Sequence, residues 1–356
     1  MKRSAIVRID LAALQHNFQR VKQLAPQSRV MAVIKADAYG HGIVQVATAL
    51  SQPPHCADAF AVAHINEALR LREAGIEQAI IVLQGFQNTA QLVQMQTQNI
   101  QPVIHQHEQL TCLQQTSLRG LHVWMKVNTG MGRLGFSLAQ AASVKSSLQA
   151  CAAVESIILM SHFANADEAE HALNQQQVND FKTLSGQLKL DSSLCNSAGL
   201  VQFPNAQADW VRPGIMLYGA SPVSSQSAAE LSLKPVMHLH APLIAINHLR
   251  AGECVGYGSE FICPDDMPVG IVAIGYGDGY PRHANQQTPV FIKGVRTNLI
   301  GRVSMDMLCI DLRGINEVKL GDPVELWGEH IALDDVAQNA DSIAYELLCN
   351  MAACHE

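Results

Sequence analysis

The chain has 356 residues, 48% of them hydrophobic and 15% charged, enough apolar matter to bury the cores of two domains. Lys and Arg total 24 against 31 Asp and Glu, a formal charge of −7. That acidic excess, with no run of five basic residues, argues against nucleic acid and an anionic membrane surface as partners.

The nine cysteines are irregularly spaced and form no C-x-x-C pair, which reads as reduced thiols in a cytoplasmic protein. Arg8 and Asp10 interrupt the first apolar run, so it is not expected to act as a secretion signal. No stretch approaches the ~20 apolar residues of a membrane span.

From residue 30 onward, short apolar runs alternate with amphipathic segments. Residues 31–34, 59–63, 79–83, 100–104, 121–127, 156–160, 193–195 and 210–217 read as buried parallel strands. Residues 65–74, 88–96, 107–115, 138–148 and 175–188 read as helices between them. About eight such repeats favour a (β/α)8 barrel, an α/β fold, over an open sheet. After the Ser- and Ala-rich residues 221–232 the period shortens to two. Residues 238–246, 269–274, 289–292, 307–312 and 323–326 read as antiparallel strands, with 341–350 as the one helix among them. The expected organisation is a barrel over 10–230 and a mainly-β domain over 231–356, to which an N-terminal strand within 1–9 is added.

A barrel of this kind carries its chemistry at the carboxyl ends of its strands. The polar residues there are Lys35, Lys126 with Arg133, His162, Asn196 with Ser197, and Arg212. Lys35 closes the run Val30-Met31-Ala32-Val33-Ile34, at the mouth of an apolar barrel. Partial desolvation there lowers a lysine's pKa, the condition for an imine-forming amine. Position alone does not separate it from a solvated strand-end lysine. His107-Glu108 lacks the second histidine of a zinc motif, since Thr111 stands in its place, and His238 with His240 has no third ligand. No metal is expected. No G-x-G-x-x-G is completed, so no dinucleotide site is indicated.

Ala-Val-Ile-Lys-Ala-Asp-Ala-Tyr-Gly-His-Gly at 32–42 resembles the cofactor-lysine signature of alanine racemases. The resemblance continues in order. Lys-Val-Asn-Thr-Gly-Met-Gly-Arg-Leu-Gly stands at 126–135, Ser-His-Phe-Ala at 161–164, Asn-Ser-Ala at 196–198 and Val-Arg-Pro-Gly-Ile at 211–215. Gly-Tyr-Gly at 256–258, Gly-Tyr-Gly-Asp-Gly-Tyr-Pro at 275–281 and Val-Ser-Met-Asp at 303–306 follow. It spans nearly the whole chain and implies a barrel plus a β domain in a homodimer with shared active sites.

The resemblance also implies roles. Lys35 would bind pyridoxal 5′-phosphate as an imine and act as one base. Tyr257 of the partner subunit would be the other base, with His162 linking it to Arg212. Tyr39, Ser197, Gly214, Ile215 and Tyr345 would hold the phosphate, with Asn196 beside them. Arg133 and the Met305 N–H of the partner subunit would meet the carboxylate of L- or D-alanine. Tyr280, Asp167 and Arg302 match entrance positions, and Lys126 matches a position carbamylated in some relatives.

Two of these roles have a physical rationale of their own. A guanidinium only donates, so Arg212 against a pyridine nitrogen leaves that nitrogen unprotonated and the cofactor a weaker electron sink. That suits proton transfer without transamination. A phenol, with pKa near 10, is a poor base until a cation lowers that value. Tyr276 has the same flanks as Tyr257, but only the Tyr257 segment resembles the family's catalytic one.

The chain departs from the common pattern in places. Asn128 stands where aspartate is frequent, as in some catabolic-type members, and Gly277 replaces a usual alanine. Residues 351–356 lack an Arg-Val-Pro-type ending, which is expected to bear on packing near Tyr345. A decarboxylase of the same plan would need a stronger electron sink than Arg212 allows. A cofactor carrier made of the barrel alone would not need Tyr257 and Met305.

Overall fold

The computed structural model describes residues 5–351; the chain's last five residues, with the expected departure at the C-terminus, lie outside them. The first strand, β1 (Ile6–Ile9), is followed by eight strands that close into a parallel barrel. These are β2 (Arg29–Val33), β3 (Ala59–Val62), β4 (Ala79–Val82), β5 (Ile100–Ile104), β6 (Leu121–Lys126), β7 (Val154–Met160), β8 (Ser192–Asn196) and β9 (Trp210–Arg212). β2 pairs with both β3 and β9, which closes the ring. Helices cover the outside and side chains fill the inside, so both faces are dry. That is why β3 is buried at all four positions and reads as an unbroken apolar run.

The run at 210–217 is not one strand. β9 stops at Arg212, and Ile215–Tyr218 is a 3-10 turn. Pro213 has no N–H to continue a ladder. Gly214 lies so close to Tyr39 that a Cβ there would meet its hydroxyl at 2.6 Å.

The second domain is built on β10 (Met237–Leu249), against which β1 pairs antiparallel. The short ribbon β11 (Cys254–Val255) and β12 (Phe261–Ile262) stands apart from the main sheet. β13 (Met267–Val272), β14 (Pro289–Ile292), β15 (Val295–Ile300), β16 (Leu308–Asp311) and β17 (Pro323–Trp327) follow. The path β10-β13-β16-β15-β14-β17 returns to β10, so the antiparallel sheet closes on itself.

β15 escapes pattern reading because Arg296, Thr297 and Asn298 interrupt its apolar residues. Its hairpin turn is Lys293-Gly294, both at positive φ, the mirror-image geometry that matches strand twist. The helix expected over 341–350 is present as Ala344–Asn350, and a helix that the sequence pattern did not give, Leu333–Asn339, precedes it. Asp341 lies between them at φ 48° and cannot continue a right-handed helix.

The backbone just past β2 is unusual. Ala36, Asp37, Ala38 and Tyr39 all have φ between 51° and 55° and ψ between 44° and 53°, a left-handed turn. Each such residue costs roughly 1–2 kcal/mol, so neighbours must hold it. Tyr39 stacks on Tyr218 at 4.7 Å, and His41 stacks on the same ring at 4.5 Å. Among the described residues, no helix is long and apolar enough to cross a membrane.

Candidate active site

The carboxyl ends of the barrel strands open into a cavity of about 350 Å³. Lys35, Lys126, Arg133 and Arg212 all line it, and among the described residues no Asp or Glu does. Burial, then repulsion from Arg133, pushes the Lys35 ammonium below its ordinary value. Burial, then Arg212, Arg133 and Lys35, pushes Lys126 down to about 8. Four cations around one small space are unfavourable together. An anion with more than one charge would offset them.

Arg212, at the end of β9, is buried and has no carboxylate partner among the described residues. Its guanidinium donates to Ser193 Oγ at 2.5 Å, Ser161 O at 2.5 Å and Leu194 O at 3.2 Å. It also meets His162 Nδ1 at 3.1 Å. Guanidinium only donates, so Nδ1 accepts and the neutral ring carries its proton on Nε2. Burial, then Arg212, holds the imidazolium well below the usual histidine range, so the ring is neutral at pH 7.

Also lining the cavity, Ser197 Oγ accepts the Gly214 N–H at 2.8 Å, which leaves its own proton to donate. The Tyr39 hydroxyl lies over Gly214. Burial, then Tyr345, raises the Tyr39 phenol, and burial, then Asp167, pushes Tyr345 up to about 12. Both therefore remain donors. Hydroxyl donors, an amine and a buried guanidinium around one cavity suit a phosphorylated carbonyl compound.

Pattern reading missed the buried polar frame behind these groups. Gln177 Nε2 donates to His162 O at 2.9 Å and to Thr129 Oγ1 at 3.1 Å, while its Oε1 accepts the Ala164 N–H at 2.9 Å. Thr129 and Ser161 share a hydrogen bond at 2.8 Å. Thr129 and Ser161 stand in the motif segments 126–135 and 161–164, but nothing in a lone hydroxyl or amide tells that folding sets them against Gln177.

Tyr257 and Met305 do not line this cavity. Both stand on the β domain with their side chains in the open, 72% and 54% exposed. The Met305 N–H has no acceptor among the described residues. Tyr276 and Gly277 bind the same turn, donating to Ser304 O at 3.1 Å and Met305 O at 2.8 Å.

The family model for the N-terminal domain of alanine racemases matches residues 9–222, and that for the C-terminal domain matches 236–355. The chain belongs to the alanine racemase family. As an alanine racemase it is an isomerase that interconverts L- and D-alanine. It is 47% identical to the alanine racemase of Nitrosococcus oceani, over 96% of both chains. The biosynthetic alanine racemase structure from Pseudomonas aeruginosa superposes with a TM-score of 0.93 at 42% identity, covering 98% of this chain and 97% of that one. The alanine racemase structure from Bartonella henselae, which has covalently bound pyridoxal phosphate, gives 0.86 at 29%, covering 98% and 97%.

One expected racemase residue is displaced. Tyr280 does not face an entrance: its ring is buried and stacked on Trp327 at 6.0 Å. Tyr276, four residues earlier, is the exposed tyrosine of that loop. Arg302 pairs with Glu260 of its own chain, and Asp167 is exposed beside Tyr345. Asn196 Oδ1 caps the following turn through the Gly199 N–H at 2.8 Å. Asn128 Oδ1 accepts the N–H groups of Gly130 and Gly132 at 3.0 Å, shaping the loop to Arg133. Aspartate would accept equally well there, so the substitution says nothing about physiological role.

Proposed function

We propose that Lys35 carries pyridoxal 5′-phosphate and that two opposed bases, Lys35 and Tyr257 of the partner subunit, racemise alanine in a homodimer. The observation that carries this reading is the cavity of four cations without a carboxylate. The hydroxyls of Tyr39, Ser197 and Tyr345 would hold the phosphate, with the backbone of Gly214 and Ile215 beneath it and Asn196 beside it. The Gly214 N–H aligns the Ser197 hydroxyl. Bound there, the cofactor withdraws electrons from Cα and acidifies its proton.

Arg212 would face the ring nitrogen, to which it can only donate. Arg133 and the Met305 N–H of the partner subunit would hold the alanine carboxylate. His162 Nε2–H is left to donate to the phenolic oxygen of Tyr257 of the partner subunit, so the Arg212–His162 pair orients that base. On this reading the enzyme works in the cytoplasm and handles D-alanine for peptidoglycan metabolism.

Inversion requires a proton to leave one face of Cα and return on the other, which two fixed groups achieve without moving. Lys35 is assigned the D-alanine proton and Tyr257 the L-alanine proton. Tyr257→Phe should therefore still exchange the α-proton of D-alanine with deuterated water. It should exchange that of L-alanine about 10²–10⁴-fold more slowly. NMR separates the two, and equal slowing for both enantiomers would sink the assignment.

A further inference from the structure

The left-handed turn after Lys35 has to be held by something, and one carboxylate does much of it. Glu67 lies in the first turn of the helix Ile65–Glu73. Its Oε1 accepts the Ala36 N–H at 2.6 Å. Its Oε2 accepts the N–H groups of Ala63 at 2.8 Å and His64 at 3.1 Å. The peptide that follows Lys35 is thus tied to the end of the neighbouring barrel strand and to a helix start. We propose that Glu67 is a positioning residue for Lys35, clasping the left-handed turn so that the amine points into the cavity. This rests on the reading that Lys35 carries the cofactor.

Three observations converge on it. Ala36 is the first residue of the strained segment, so its N–H sets the peptide plane from which the Lys35 side chain leaves. Strained backbone persists only where its surroundings over-determine it. The same helix adds a second hold three residues on, where Arg70 donates to Asp37 Oδ1 at 2.9 Å and that oxygen also accepts the Ile43 N–H at 3.0 Å. Glu67 also supplies a negative charge that works against the lowering of the Lys35 amine by burial and Arg133.

A helix cap alone would explain the His64 contact but not the Ala36 contact, and chemistry separates the two. Glutamine serves a capping box as well as glutamate does. It offers one acceptor oxygen where three N–H groups need two, and its Nε2 would face an N–H as a second donor. Glu67→Gln should keep the helix and lose the clasp.

The experiment measures cofactor dissociation, and reduction with borohydride followed by peptide mapping, in Glu67→Gln, Ala36→Gly and the double variant. Glu67→Gln should weaken cofactor binding by roughly tenfold to a hundredfold, the range for a lost charged hydrogen bond, with a thermal midpoint near that of the parent. Ala36→Gly removes the Cβ from the strained position. It should change little alone and restore several-fold of the lost affinity in the double variant. Parental affinity in Glu67→Gln overturns the proposal, and so does a loss that Ala36→Gly fails to rescue. Lys35→Ala is the separate control: if reduction still attaches the cofactor elsewhere with parental activity, the role given to Lys35 fails instead.

Discussion

Lys126 sits in the cavity wall with Arg133 and Arg212 as neighbours and, among the described residues, no carboxylate in that wall to balance it. Its amine is pushed from 10.5 to about 8. The folded chain therefore binds fewer protons than the unfolded chain between those values. Burial of its charge destabilises the fold below about pH 8 and is relieved as the pH rises through that window. Above about 8 the amine is neutral and nucleophilic. It can then add to carbon dioxide, forming an N–C bond and releasing one proton, and the carbamate places an anion among cations. Labelled bicarbonate should thus give a carbamate ¹³C signal that grows from pH 7 to 9 and is absent in Lys126→Met. No signal at pH 9 would show that the amine stays unmodified. Lys126 was legible in the sequence because it ends an apolar run. Ser161, Ser193 and Gln177, which frame Arg212 and His162, were not, because a hydroxyl or amide draws its meaning from what folding sets against it.

The barrel strands were readable because burial on both faces leaves continuous apolar runs, and β10 was readable because it alternates. The turn at Ala36, Asp37, Ala38 and Tyr39 was not. Nothing in Ala-Asp-Ala-Tyr asks for positive φ, and what imposes it comes from afar: Glu67 on a later helix and Tyr218 beyond β9. This handedness has a stability consequence opposite in sign to that of an ordinary helix. In a right-handed helix, Ala36→Gly would cost about 1 kcal/mol. At φ 52° glycine instead removes a penalty of roughly 1–2 kcal/mol, partly offset by about 0.4–1 kcal/mol of added freedom in the unfolded chain. Denaturant titration should show Ala36→Gly unchanged or more stable by up to about 1.6 kcal/mol. A loss of about 1 kcal/mol would mean that the turn is not left-handed in solution.

A single chain brings Lys35, Arg212 and His162 together but leaves Tyr257 outside their cavity. The change of hydrophobic period marked the two domains in the sequence. It could not show that Tyr257 stands away from Lys35, because that depends on how the β domain is carried. Tyr257, Ile262, Met305 and Met307 stand exposed on that domain, from 43% to 72%, an apolar display that marks a surface to be covered. A two-fold dimer would cover it twice over and complete two sites at once. Mixing tests this directly. Lys35→Ala and Tyr257→Phe are each expected to be inactive as homodimers, since every site lacks one base. In a mixed dimer, the Lys35 of one chain meets the Tyr257 of the other, and the second site lacks both. Random re-association puts half of the dimers in the mixed form with one good site of two, so activity should recover to about a quarter of the parental value. Separately tagged chains would verify the exchange by native mass spectrometry. Complete exchange with no recovered activity would show that each site draws both bases from one chain, and that Tyr257 reaches Lys35 by a movement of its own β domain.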